Sequence, residues 1–459
     1  MSKNYLFELI DSNQEKLKEI AYEIWSNPET AFNEYKASEL QKDYLKEQGF
    51  KIIDVPNNST AFIAEFGDGS PILGILGEYD ALPGLSQKIT AEKEPMDGST
   101  SGHGCGHNLL GTGGVGAVVA LKEVMEKENI KGTIRYYGCP AEETLAGKGL
   151  MAKEKVFDDL DSCVSWHPAS MNVVWGCSFL AMNSMKFRYK GKTAHAAAAP
   201  QAGRSALDAV ELMNVGANYL REHVIEKARI HYVITNGGMA PNVVPDDAEV
   251  WYFVRAPKRA DVKEISDRLY KIAQGAELMT ETTMEYELLA GCYDVIPNGV
   301  IGKLMHNNML EAGGPKFSKE DYDFADQLVK LSTREDKAKV MSTYFAPDYI
   351  LDISLSDEVI EVDDRGKIMA GSSDVGDVSY IAPFAQITTS TWPIGTAAHT
   401  WIATASSGSG IGMNAMVFAA KTMAATIYDL LKDNSLIDQA KEEFVKALGG
   451  YKYISPFEE

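Results

Sequence analysis

Three segments of the sequence place metal-binding side chains beside apolar runs. Cys105 and His107 lie two positions apart in GHGCGHN, Glu142 and Glu143 follow TIRYYGCP, and His167 follows DSCVSW. Thiolate, imidazole and carboxylate are ligands that suit Zn(II)-like ions. Each segment taken alone also has a structural explanation. The Cys105 loop fits a tight turn, the glutamate pair fits a solvated surface turn, and His167 fits a buried, hydrogen-bonded His.

The adjacent glutamates of the second segment suit a division of roles at a metal site. Two neighbouring carboxylates repel each other, and a nearby cation removes that cost. One of them can then bind the ion, while the other takes a proton from a water molecule. Hydrolysis is therefore the chemistry that the pair favours.

The elements around these segments would bring them together. The runs TAFIAEF, PILGILGEYDAL, TIRYYGCPAEE and DSCVSWHP read as strands, residues 16–29 and 34–50 read as amphipathic helices, and residues 109–127 read as a long helix. Alternating strands and helices predict a mostly parallel α/β sheet. Because ligands bind outside the carboxyl ends of such strands, polar residues that follow them should share one crevice.

A second pattern begins near residue 183. Residues 183–293 read in the order βαββαβ, which predicts an inserted ferredoxin-like α+β domain. It would divide a catalytic metal-binding domain into a first part, residues 1–182, and a second part, residues 294–459. In that second part we expect a helix over residues 300–310, an irregular charged surface stretch over residues 318–339, and a helix over residues 412–433.

Charge and composition exclude several classes of protein. A formal net charge of -21 disfavours nucleic acid and anionic membranes as partners. No leader-like start and no apolar run long enough for a membrane span stand out, and five irregularly spaced cysteines indicate reduced thiols. We therefore expect a cytoplasmic enzyme.

The glycines at 111, 113 and 116 satisfy the dinucleotide-binding pattern G-x-G-x-x-G. That motif needs a strand directly before it, but here the Cys105 loop precedes it. The glycines are better explained as small residues that let a helix pack closely. A nucleotide-dependent oxidoreductase is the disfavoured interpretation.

In this order, the motifs resemble the aminoacylase and dipeptidase superfamily of two-metal peptidases, most closely its amidohydrolase branch. The similarity extends over nearly the whole chain, through SNPETAFNE, ILGEYDAL, GHGCGHNLLGT, YGCPAEE, WHP, AHAAAAPQAGRSALDAV, HYVITNGGMAPNVVPDDAEV, SSDVGDVSY and GTAAHTW. The resemblance implies a metal-dependent enzyme that hydrolyses the amide bond of N-acyl amino acids, aminobenzoyl-glutamate or dipeptides.

The resemblance also assigns the metal ligands. It implies that Cys105, His107, Glu143, His167 and His399 hold two divalent metal ions per subunit, with Mn(II) or Zn(II) expected. The mixed ligand set permits Co(II) and Ni(II) as well.

Further roles follow from the same resemblance. Glu142 would be the general base, and His195 would reach across a dimer to stabilise the tetrahedral oxyanion. Asn242 and Arg255 would hold the substrate carboxylate, a task that suits the planar fork of Arg. The expected partners are a small-molecule substrate and a second copy bound through the inserted lid and dimerisation domain, or a related second subunit.

Two positions depart from the pattern of the superfamily. Many members have H-x-D where this chain has Glu78-Tyr79-Asp80, so Glu78 and Asp80 are expected to contact the ligands rather than the ions. Asn108 replaces an Asp that is common in the branch. The alternative to an enzyme is a noncatalytic homologue that binds acyl amino acids or stabilises a partner, and a base at Glu142 argues against it.

Overall fold

The computed structural model describes residues 3–458 and divides the chain into two compact units. Unit 1 runs up to Ser178 and continues through Ile296–Met369 and Asp377–Ile454. Unit 2 comprises Phe179–Val295, Ala370–Gly376 and the end of the chain from Ser455.

The strands in chain order are β1 Lys51–Val55, β2 Asn58–Asp68, β3 Ile72–Glu78, β4 Leu82–Pro83, β5 Ser101–Gly102, β6 Gly132–Cys139, β7 Ser162–Ala169, β8 Val173–Trp175, β9 Ser178–Phe179, β10 Ala181–Lys190, β11 Arg229–Asn236, β12 Asp247–Ala256, β13 Thr283–Cys292, β14 Ile368–Met369 and β15 Phe384–Ser390.

The α-helices are α1 Lys3–Ser26, α2 Tyr35–Glu47, α3 His107–Glu128, α4 Gly147–Lys153, α5 Ala206–Leu220, α6 Arg259–Thr280, α7 Gly299–Ala312, α8 Lys319–Val329, α9 Arg334–Thr343, α10 Val375–Ser379, α11 Trp401–Gly408, α12 Gly410–Lys432 and α13 Asn434–Leu448.

Unit 1 is built on a seven-stranded mixed sheet in the order β1-β2-β6-β3-β7-β15-β8. Its four central strands, β6, β3, β7 and β15, run parallel to one another. Strand β3 is apolar and nearly all buried, as expected for a parallel strand covered on both faces. The carboxyl ends of these strands therefore share one edge, and the α/β fold class is confirmed.

Helix α3 packs beside this sheet and begins at His107. Seventeen of its 22 residues are buried, and its exposed charged residues are confined to its C-terminal turns. A Cβ at Gly111 would lie 2.6 Å from the Glu78 carbonyl oxygen, and one at Gly113 would lie 2.8 Å from the Trp166 ring nitrogen. The glycines let the helix approach the sheet, which confirms their interpretation as packing residues.

Unit 2 has the order β10-α5-β11-β12-α6-β13, and its four-stranded sheet runs β11-β12-β10-β13. All three strand pairings are antiparallel. Burial alternates along β12, because one face of the sheet packs on α5 and α6. The expected βαββαβ ferredoxin-like unit is confirmed.

The prediction of an irregular stretch over residues 318–339 is wrong. It contains α8 and α9, each begun by a capping box, Ser318 with Asp321 and Thr333 with Asp336. These S-x-x-D and T-x-x-D patterns are helix-start signals. The stretch is charged because most residues of both helices are at least partly exposed.

Among residues 3–458, no helix is long and apolar enough to cross a membrane.

Candidate metal centre

Two groups of metal-competent side chains in unit 1 share one thiol. Cys105, His107 and His167 form the first group, and Cys105, Glu143 and His399 form the second, with the ligand atoms of each group within 4.8 Å of one another. The Cys105 Sγ lies 3.6 Å from His167 Nε2, and His399 Nε2 lies 3.2 Å from Glu143 Oε2. The five residues expected to bind metal are thus brought together around Cys105.

Glycines shape the loop that carries Cys105. Gly106 adopts a left-handed φ of 75° directly before α3, and a Cβ there would lie 2.8 Å from Pro168. The Gly104 carbonyl accepts a hydrogen bond of 2.9 Å from the His399 backbone N–H. His399 itself has a φ of 62°, which is strained for a residue with a side chain. The loop therefore holds His399 against the site.

The Glu142–Glu143 pair lies on a short 3-10 turn after β6. Ala141 and Leu145, which flank this turn, both have left-handed backbones, with φ of 57° and 58°. The Glu34 side chain accepts a hydrogen bond of 2.8 Å from the Ala141 N–H, and Asp80 accepts one of 2.9 Å from the Glu143 N–H. Two buried carboxylates thus hold a turn whose left-handed backbone is unfavourable for residues other than glycine.

Hydrogen bonds orient the buried His107 and the half-buried His167. Nδ1 of His107 lies 2.9 Å from Asp80 Oδ1, and Nδ1 of His167 lies 2.8 Å from the Pro168 carbonyl. In each ring, this contact leaves Nε2 directed at the other metal-competent side chains. Such outer partners fix the ring orientation that a metal-binding His requires.

The electrostatics of the cluster favour a cation. Although burial raises it, the neighbouring His107 and His167 rings hold the pKa of the Cys105 thiol well below its usual value. Burial and the Cys105 thiolate raise the pKa of Glu143 to about 7, and hydrogen bonds with Cys105 and Glu143 raise that of His399 to about 11. Negative charge is concentrated here, so a cation would lower the energy of the whole group.

Unsatisfied atoms support the same conclusion. Within the described chain, Glu78 Oε2, His107 Nε2 and Glu143 Oε1 are buried and make no hydrogen bond of good geometry. Orphaned buried polar atoms are rare and need a partner. The donor set and its geometry fit two divalent ions that share Cys105.

Three side chains line this centre in ways that the sequence did not predict. Lys148 is fully buried and forms an ion pair of 2.6 Å with Glu78. The Trp175 ring lies 5.3 Å from the His167 ring and stacks on Tyr344 at 6.4 Å, centroid to centroid. A Lys in the run AEETLAGKG was the only available signal, and it does not reveal burial.

His103, in the same loop as Cys105, is buried, and its Nε2 lies 3.2 Å from the Ile24 carbonyl. Three of the predicted residues belong to unit 2. His195 and Asn242 are exposed neighbours in unit 2, where the Ala196 N–H donates to the Asn242 carbonyl. Arg255 lies on β12 and donates to Ser372 at 3.1 Å within the same unit.

Residues 181–278 match the model of a peptidase dimerisation domain, M20_dimer. The chain is 40% identical to a subunit of the p-aminobenzoyl-glutamate hydrolase of Escherichia coli, over 98% of this chain and 96% of that protein. It is 28% identical to Xaa-Arg dipeptidase of Mus musculus, over 95% and 90%.

Two solved structures share the fold. An aminobenzoyl-glutamate utilization protein from Klebsiella pneumoniae superposes with a TM-score of 0.62 at 17% identity, covering 92% of this chain and 98% of that one. A dinuclear metal-binding peptidase of the M20 family from Bacillus subtilis gives 0.57 at 18% identity, covering 92% and 99%.

The fold and these relatives define an enzyme of the peptidase and amidohydrolase class. The chain belongs to the M20 peptidase family, as its near full-length similarity to the Escherichia coli p-aminobenzoyl-glutamate hydrolase subunit shows.

Proposed function

We propose that this protein is a two-metal hydrolase that cleaves the amide bond of N-acyl amino acids, with p-aminobenzoyl-glutamate or a close analogue as substrate. The observation that carries the proposal is the pair of donor groups that share Cys105, with Glu142 beside them. Cys105, His107 and His167 would hold one ion, and Cys105, Glu143 and His399 the other. The similarity to a dinuclear metal-binding peptidase of Bacillus subtilis supports two ions, and Mn(II) or Zn(II) suits the donors.

Glu142 is the proposed general base. When bound, the ions would polarise a water molecule and the substrate carbonyl. Glu142 lies nearly buried, with Oε2 3.9 Å from His107 Nε2, so it can take a proton from water at this position. The same carboxyl then returns the proton to the leaving amine.

The proposed acyl group is aromatic. The half-buried Tyr344 ring stacks on the Trp175 ring, and the Trp175 ring contacts the His167 ring. Burial, together with the Cys105 thiolate, raises the pKa of Tyr344 to about 12, so the phenol is neutral at neutral pH in the metal-free site. A flat aminobenzoyl ring can stack on such a surface, and the name of the Escherichia coli relative supports this substrate class.

Unit 2 supplies the remaining groups in this proposal. Arg255 and Asn242 would hold the free carboxylate of the substrate, and His195 would stabilise the oxyanion from a second copy of the chain or from a related subunit. The match to a dimerisation domain supports the association. The five cysteines are free and buried, which suits a reducing compartment such as the cytoplasm.

Glu142→Gln tests the proposal. The variant keeps the size of the side chain but cannot accept the proton, so hydrolysis of p-aminobenzoyl-glutamate should fall by at least ~100-fold. Metal content, measured by elemental analysis, should remain at two ions per chain. Glu123→Gln, on the exposed side of α3, is the matched control and should keep full activity.

Unchanged hydrolysis in the Glu142→Gln variant would refute the assigned base. A wild-type protein that binds ions and acyl amino acids without cleaving them would instead identify the noncatalytic homologue.

A further inference from the structure

A buried ion pair lies at the base of the metal centre. Glu78, the last residue of β3, is 2% exposed, and Lys148 in α4 is fully buried. The Lys148 Nζ lies 2.6 Å from Glu78 Oε1. Moving two charges out of water costs several kcal/mol per ion, and a buried pair is often no better for stability than apolar side chains. Stabilisation of the fold therefore does not explain why Glu78 and Lys148 are buried here.

The second oxygen of Glu78 faces the metal-binding side of His107. Glu78 Oε2 lies 3.3 Å from His107 Nε2, and neither atom makes a hydrogen bond of good geometry with any described residue. A carboxylate oxygen of Glu142 is the third donor atom, and the three donor atoms lie within 4.8 Å of one another. Two ligands that hold one ion at about 2.0–2.1 Å in tetrahedral geometry stand roughly 3.4 Å apart. The separation of Oε2 and Nε2 matches that value.

Orientation of His107 does not explain Glu78. Asp80 already bonds to Nδ1 of the ring at 2.9 Å, which is the nitrogen that an orienting carboxylate contacts. Glu78 approaches Nε2, the nitrogen left for an ion. The two carboxylates of the Glu78-Tyr79-Asp80 segment therefore contact opposite edges of the same imidazole.

We propose that Glu78 is itself a metal ligand, which binds the ion held by His107 through Oε2. Lys148 holds Oε1, so that Glu78 binds through one oxygen and keeps a fixed direction. This inference rests on the two-metal site of the proposed function and adds a sixth protein ligand to it. It also replaces the expectation that Glu78 contacts only the ligands.

The test uses the full-length protein loaded with Co(II), whose visible spectrum reports its ligands. Glu78→Gln should weaken the binding of one of the two ions by ~10- to 100-fold and change the cobalt bands, while the other ion binds as in the wild type. Chelator competition gives both dissociation constants. Lys148→Met should alter the cobalt bands, because Glu78 can then turn or bind through both oxygens.

Glu65→Gln is the matched control, since Glu65 pairs with Arg135 at 2.8 Å on the same sheet outside the cluster. It should leave both constants and the spectrum unchanged. If Glu78→Gln does not fold, Glu78→Asp withdraws the carboxylate by one methylene group and should weaken the same ion.

The inference is overturned if Glu78→Gln binds both ions with wild-type affinity and has an unchanged cobalt spectrum. If Glu78→Gln does not fold, the same result with Glu78→Asp overturns it. In either case the proposed function stands, provided that the wild type binds two ions and hydrolyses its substrate. A wild type that binds no ion would overturn the proposed function as well.

Discussion

Glu34 lies just before α2, is fully buried, and contacts the turn that carries Glu142 and Glu143. Its Oε1 accepts the hydrogen bond from Ala141, and its Oε2 has no hydrogen-bond partner in the described chain. Burial, with a smaller contribution from Asp80, raises the pKa of Glu34 to about 7. Glu34 therefore holds the turn, but its burial lowers the free energy of unfolding by an amount that depends on pH.

The sign of this cost follows from the raised pKa. Ionising Glu34 is harder in the folded than in the unfolded chain, so stability falls as pH rises from the ordinary Glu pKa of 4.5 to about 7. Glu34→Gln keeps the acceptor oxygen and removes the ionisation. In the metal-free proteins, the unfolding free energy of the variant minus that of the wild type should therefore increase by up to about 3 kcal/mol from pH 5 to pH 8.

Urea unfolding of the metal-free proteins at the two pH values measures this gain. Glu39→Gln, exposed on α2, is the control and should show no pH-dependent difference. A difference between Glu34→Gln and wild type that is the same at both pH values would contradict the prediction.

The sequence could predict the placement of Cys105, His107, Glu142 and His167, because each lies at the end of a strand or the start of a helix. His399 came only from resemblance, since its position depends on a left-handed backbone and a bond to Gly104. Neither feature leaves a pattern in the sequence. The burial of Glu34 and Lys148 could not be predicted either, because it depends on contacts between distant segments.

At the scale of elements, helix α9 ends at Thr343 and Tyr344 follows it directly. Tyr344→Leu removes the ring that the aminobenzoyl group is proposed to contact. The kcat/KM for p-aminobenzoyl-glutamate should fall by ~10-fold, which corresponds to about 1.4 kcal/mol, a typical aromatic contact. N-acetyl-glutamate has no ring, so its kcat/KM should change much less.

Steady-state kinetics with both substrates measures this selectivity. Tyr349→Leu is the control, since Tyr349 lies five residues further along the chain and is 52% exposed. An equal loss for both substrates would show that Tyr344 supports the site without selecting the acyl group.

Periodicity predicted the buried elements better than the exposed ones. β3, β6, β7 and α3 are apolar runs whose length and spacing identify them. The exposed helix α9 lacks an apolar stripe, and only its capping residues mark it. Helix α8 does carry apolar residues at helical spacing, Tyr322, Ala325 and Leu328, but its many charged residues led to its prediction as an irregular stretch. Strand β15 was not predicted, because buried Gln386 and Thr388 give its central residues a polar sequence.

At the scale of the molecule, unit 2 carries a sheet edge that pairs with no further strand among residues 3–458. β11 is one of the two outer strands of this sheet, and Tyr232, Val233 and Ile234 on it are 38%, 54% and 40% exposed. An exposed apolar edge strand is a site for association. We expect a second chain to bind here.

Val233→Lys should therefore weaken the proposed dimer. Light scattering should show the mass falling to the 50.2 kDa of a single chain. Hydrolysis should fall with it, if His195 acts across the dimer. Leu310→Lys, at an exposed position on α7 in unit 1, is the control and should leave the mass unchanged.

Mixing inactive Glu142→Gln with inactive His195→Ala gives an independent result. Mixed dimers should regain part of the activity, since one chain supplies the base and the other the imidazole. Verified mixed dimers without activity would place His195 within its own chain or outside catalysis.

The order of the sheet in unit 1 has a consequence for synthesis on the ribosome. β15 lies between β7 and β8 but is the last of the seven strands to be made, after the whole of β10–β13. Domains tend to fold as they emerge, so unit 2 can fold while the sheet of unit 1 is still open. Cys105, His107 and His167 leave the ribosome long before His399. One proposed ion can therefore meet its ligands early in translation, while the other must wait for nearly the whole chain.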